Sequence, residues 1–175
     1  MLVYTLPAVI VWGILSVLLR PLGNMPLVIS LVSCAYALVY GTAEMFGLPL
    51  RSFDSKWQVP SSWVKGSVIK RNLLWGTILG PGLITRNPYA GIWLLPLLIV
   101  LAHNSLLMVL VGIGIGAAHG IARALGVLRN RKRLESSCDA MFPLGAQLQW
   151  RCRDGILLLV TVGALSAYII WMLVF

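Results

Sequence analysis

The first nineteen residues, MLVYTLPAVIVWGILSVLL, carry no charge, and neither does the closing stretch from Gly155 to Phe175. At 1.5 Å per residue, a helix of that length matches a hydrocarbon layer of about 30 Å. Such runs recur along the chain, and they restrict it to helices solvated by lipid, because helices satisfy every backbone polar group internally. The 59% hydrophobic and 11% charged composition, with a mean hydropathy of +0.89, excludes an ordinary water-soluble globule. The expected fold class is all-α: a polytopic helical membrane protein with about five crossings, one of them broken by glycine and proline.

Residues 1–46 read as a transmembrane hairpin. The first cation, Arg20, follows the apolar run and precedes the turn formers Pro21 and Gly23, so the segment is expected to stay as an anchor and not to act as a cleaved leader. The second run, Met25 to Phe46, holds small polar residues (Ser30, Ser33, Cys34, Thr42) and one acid, Glu44, near its end. Residues 47–71 form a basic loop that cannot cross. Its tryptophans Trp57 and Trp63, set among lysines and arginines, suit the headgroup layer, so the loop is expected to lie along the interface.

Residues 72–175 read as a three-segment bundle. As one straight helix, 72–102 would measure about 46 Å, too long for one crossing. Gly80, Pro81 and Gly82, then Thr85, Arg86, Asn87 and Pro88, mark where it breaks into half-helices over 72–80 and 89–102, as a broken crossing or as a re-entrant dip followed by a crossing. After a turn at His103 and Asn104, a helix over 105–128 leads into a polar loop, 129–154, and the last crossing follows. The net charge of +9 is concentrated in two places, five cations in 47–71 and seven in 123–154, leaving only Arg20 and Arg86 elsewhere. That pattern orients a membrane chain and is not a nucleic-acid footprint. Five crossings put both basic loops in the cytoplasm, with the N-terminus inside and the C-terminus outside. The membrane expected is a bacterial inner (plasma) membrane.

Arg86 is the only cation in the middle of an apolar run. Half-helix ends at the break would expose amides and carbonyls, so Arg86 with Thr85, Asn87, Gly80 and Gly82 is a candidate substrate-binding group for an anionic or polar solute. His119 and Arg123, four residues apart on one helix face, and Glu44 are candidates for a proton or polar relay. Glu44 at that depth needs a partner, with Arg86 or a loop lysine in reach by position. Gly112, Gly116, Gly120 and Ala124 recur every four residues, the pattern of close helix packing. No catalytic motif is complete, and Cys34, Cys138 and Cys152 lack metal-ligand spacing, so no metal site is expected and any cofactor is unknown.

The segments Leu74-Trp75-Gly76, Leu79-Gly80-Pro81-Gly82, Thr85-Arg86-Asn87-Pro88-Tyr89-Ala90 and Trp93-Leu94-Leu95-Pro96-Leu97-Leu98, with Gly116-Ala117-Ala118-His119-Gly120-Ile121-Ala122-Arg123-Ala124-Leu125, resemble the cytochrome c biogenesis and thiol-disulfide electron-carrier membrane family. The resemblance spans residues about 74 to 127 and implies halves of three segments, the first broken by proline, with 72–175 supplying one half. The family's reactive cysteines lie at the break, where this chain has no thiol, so the scaffold without dithiol chemistry is what carries over. The expected role is an accessory or scaffold subunit of a larger membrane complex, joined to other membrane subunits or to copies of itself. A small transporter component built around Arg86 is the alternative, and a thiol-redox protein the second alternative.

Overall fold

The computed structural model describes residues 2–48, 67–79, 90–102, 104–134 and 144–175. Among the described residues the chain is all-helical, with no strand. In order it forms α1 (Leu2–Leu18), a 3-10 turn (Arg20–Asn24), α2 (Pro26–Met45), α3 (Val68–Leu79), a second 3-10 turn (Ala90–Trp93), α4 (Leu95–Val100), α5 (Ser105–Leu134) and α6 (Leu144–Val174). Among the described residues, three helical stretches are long and apolar enough to cross a membrane: Pro26–Met45, Ser105–Ala122 and Arg151–Val174. Thr5–Leu18 and Ala90–Val100 are apolar but shorter. Leu6, Ile10, Ile14, Leu157, Val160 and Ile170 are all more than half exposed on these helices, a surface that suits acyl chains and not water.

Helix ends follow from local chemistry. Pro26 opens α2, where its missing amide costs no hydrogen bond. Asn104 Oδ1 accepts the Leu106 amide at 2.8 Å and caps α5. Ser67 Oγ accepts the Lys70 amide at 3.3 Å and starts α3. At the end of α2, Gly47 takes φ +65°, and the Leu48 amide reaches back to the Ala43 carbonyl at 2.8 Å, a Schellman stop.

The polar loop expected over 129–154 is shorter than that. α5 continues to Leu134, and α6 begins at Leu144, eleven residues before Gly155. Arg, Lys, Leu, Ala and Gln dominate both extensions, and these are strong helix formers, so charge removes the segment from lipid without unwinding it. On either side of the expected break lie the helix Val68–Leu79 and the pair Ala90–Trp93 and Leu95–Val100. Between them, Gly80, Gly82, Thr85, Arg86 and Asn87 lie outside the described residues, as do Trp57 and Trp63.

The helices group into two compact units, one containing α1, α3 and most of α5, the other α2, α4, α6 and both 3-10 turns. In the first, α1 and α5 run antiparallel along the glycine stripe. A Cβ on Gly116 would lie 2.7 Å from the Ala8 carbonyl oxygen and 2.8 Å from Val9 Cα, and one on Gly120 would lie 3.0 Å from Thr5 Cγ2. Gly112 meets Trp12 and Ser16 in the same way, and Ala124 is buried at the end of the stripe. In the second unit, Ala37, Leu94 and Leu158 form the core. α2 and α6 are antiparallel there, with Gly155 against Gly41 and Met45, and Cys34 against Ser166.

Candidate functional site

The second unit holds a polar junction where the end of α2, the start of the membrane stretch of α6 and the resumption after the break come together. The Schellman turn at Gly47 leaves two acceptors side by side, the Glu44 carboxylate in the last turn of α2 and the Leu48 carbonyl just beyond it. Arg151 on α6 uses both. Its Nε donates to Glu44 Oε2 at 2.5 Å, and its Nη2 donates to the Leu48 carbonyl at 3.2 Å. Glu44 is 12% exposed and Arg151 32%, so the pair sits at an edge and is partly screened.

One turn further along α6, Asp154 faces the resumed segment. Its Oδ2 accepts the Gly91 amide at 3.2 Å. The first amides of a helical segment have no internal partner, and a carboxylate at that end also meets the favourable pole of the backbone dipoles. Asp154 thus caps Ala90–Trp93 from another helix. A Cβ at position 91 would lie 2.7 Å from Asp154 Oδ1, so a larger residue there would have to push the carboxylate aside. Tyr36 ties the third side, donating its hydroxyl to the Ala90 carbonyl at 2.8 Å while its ring stacks on Tyr40 with centroids 4.4 Å apart. Gly155, next to Asp154, lets the backbones of α2 and α6 approach, since a Cβ there would lie 3.0 Å from the Gly41 carbonyl oxygen.

Higher on α2, Ser30 and Ser33 are wholly buried, and neither hydroxyl has a hydrogen-bond partner. Beside them, Cys34 Sγ lies 3.8 Å from Ser166 Oγ. The polar neighbour of this thiol is a hydroxyl and not a second thiol. Cys152 is exposed on α6, and Cys138 lies outside the described residues. Among the described residues, no three His, Cys, Asp or Glu side chains group as metal ligands would.

Of the residues singled out from sequence, Glu44 enters the junction, where its partner among the described residues is Arg151; Arg86, Lys56 and Lys65 lie outside the described residues. The longer α6 explains the pairing with Arg151, since it brings Arg151 onto the helix one turn before Gly155, where α2 is closest. His119 lies half-buried on α5, beside Gly120 at the contact with α1, and Arg123 follows one turn later on the same helix. His119 and Arg123 belong to the first unit and Glu44 to the second. The group expected around Arg86 lies outside the described residues, and at the start of the Ala90–Trp93 segment the Gly91 amide is taken by Asp154. Sequence reasoning missed Arg151, Asp154, Tyr36 and Gly91. The proline-free stretch from Leu144 to Arg153 was the available signal for the first two, because extending the last helix backward puts Arg151 and Asp154 on one face.

No family model, characterised protein or solved structure matches this chain.

Proposed function

We propose that the chain is an integral membrane accessory or scaffold subunit of a larger membrane complex. The observation that carries this reading is the use made of the charges at the junction. Glu44, Arg151 and Asp154 are each engaged with another element of the protein, joining α2, α6 and the resumed segment. Charges within apolar segments are costly unless paired, and here the pairing fastens helices together. Around this fastened core the helices present broad apolar faces for lipid or neighbouring membrane helices.

Five crossings fit the helix directions. α1 opposes α5, and α2 opposes α6, as alternation from a cytoplasmic N-terminus to an outside C-terminus requires. The proposed site is a bacterial inner membrane, and the crossing at Ala90–Val100 is the short, broken one. Reporter tags near positions 60 and 135 should report the same, cytoplasmic compartment, and opposite compartments refute the topology. For the function itself, the chain solubilised in mild detergent should retain different membrane subunits at a constant ratio through two separation steps. A single homogeneous species containing only this chain refutes the scaffold reading.

A transporter component is the second reading, favoured by the broken segment with an acid, Asp154, at its resumption, a pattern that lines ion and solute sites in carriers. Loss of solute flux on Arg86→Ala or Asp154→Asn, with the protein still abundant in the membrane, would support it. Unchanged flux would remove it.

A further inference from the structure

Hydroxyl side chains inside a membrane helix ordinarily satisfy themselves by donating to the carbonyl one turn back. Ser16, Thr42, Thr77 and Thr161 do so in this protein, to Trp12, Leu38, Leu73 and Leu157 at 2.7–2.8 Å. Ser30 and Ser33 do not. Both are 0% exposed, and their Oγ atoms have no partner.

Their place in the second unit follows from the register of α2. One turn beyond Ser33 on the same face, Ala37 packs with Leu94 and Leu158. Before α2, a Cβ on Gly23 would lie 3.9 Å from the Val100 carbonyl oxygen. α2 therefore runs antiparallel to the Leu94–Val100 stretch, and Ser33 and Ser30, on the face of α2 that carries Ala37, follow from Leu94 toward its Val100 end. Cys34, next to Ser33, meets Ser166 of α6. The two serines thus occupy the seam among α2, α4 and α6.

We propose that this seam is a binding site for water held by the Ser30 and Ser33 hydroxyls inside the apolar bundle. Residues three apart on a helix have Cβ atoms about 5–6 Å apart, a spacing that one water can bridge with two hydrogen bonds. A buried water needs two to four polar partners, and the serines supply two, each able to donate and accept. Charge selection has no basis here, because every polar side chain named at the seam (Ser30, Ser33, Cys34, Ser166) is a hydroxyl or a thiol. A neutral ligand fits, and water is the smallest. The site is separate from the Glu44, Arg151 and Asp154 junction and stands whether the chain is a scaffold or a carrier.

The test is X-ray pulse radiolysis of the full chain in detergent, with oxidation read residue by residue by mass spectrometry. Bound water generates hydroxyl radicals in place, so buried side chains beside it are modified without access to bulk solvent. Oxidation should appear at Cys34 and at the buried Val100, and it should fall to the level of Ile92, buried elsewhere in the unit, in the S30A/S33A double variant. No oxidation at Cys34 and Val100 in the unmodified protein overturns the proposal, as does oxidation that the double variant leaves unchanged. Thermal midpoints give an independent reading. A shared water makes the effects of S30A and S33A non-additive and lowers both midpoints, whereas an empty seam gives additive effects at or above the wild-type midpoint.

Discussion

Replacing Glu44 with glutamine removes the charge from the shortest polar contact between α2 and α6, the 2.5 Å approach of Arg151 Nε to Oε2. Two unit charges about 4 Å apart attract by about 4 kcal/mol at an effective dielectric near 20, before desolvation is subtracted. Arg151 is about a third exposed and keeps its bond to the Leu48 carbonyl, so the net loss for Glu44→Gln is about 1–2 kcal/mol. Arg151→Gln should cost more, about 3 kcal/mol, because it strands a carboxylate that is only 12% exposed. The double variant strands neither charge, and its cost should fall short of the sum by about 1–2 kcal/mol. Denaturant unfolding in micelles, followed by tryptophan fluorescence, measures all four corners of this cycle. Equal costs for the two single variants, or costs that simply add, would refute the account of the junction as an interhelical fastening.

Gly116→Ala should destabilise the α1 and α5 contact by about 1–3 kcal/mol, since its Cβ meets backbone atoms of Ala8 and Val9, while Gly114→Ala, which meets nothing within 4 Å, should be neutral or slightly stabilising in the same unfolding assay. Gly91→Ala should displace the Asp154 carboxylate and cost a similar amount, and in an Asp154→Ala background the added cost should shrink, a coupling absent if the two residues do not touch. Tyr36→Phe should cost about 1 kcal/mol through the lost bond to the Ala90 carbonyl, and an unchanged midpoint would show that this bond contributes nothing net.

Much of the architecture was legible along the chain. The uncharged runs identified α2, the membrane part of α5 and α6 as long apolar helices, while the break expected at 80–88, between α3 and the segment from Ala90, lies outside the described residues. Glu44 was legible as a group needing a partner. Its partner was not, because Arg151 lies 107 residues away, in a stretch whose charges read as loop. Charge density reports where a segment leaves lipid, but helix propensity decides whether it unwinds there, and the two signals part company at Arg129–Leu134 and Leu144–Arg153.

Lipid acts on each residue according to its own polarity, so the all-helical membrane class is a one-dimensional property and was settled by the sequence alone. Which acid meets which base, which amide end receives Asp154, and which hydroxyls are left without a carbonyl depend on how helices remote in sequence are brought side by side. A hydrogen bond tolerates only a few tenths of an ångström, and hydropathy carries no information at that scale. Those pairings were therefore decided only by the tertiary structure.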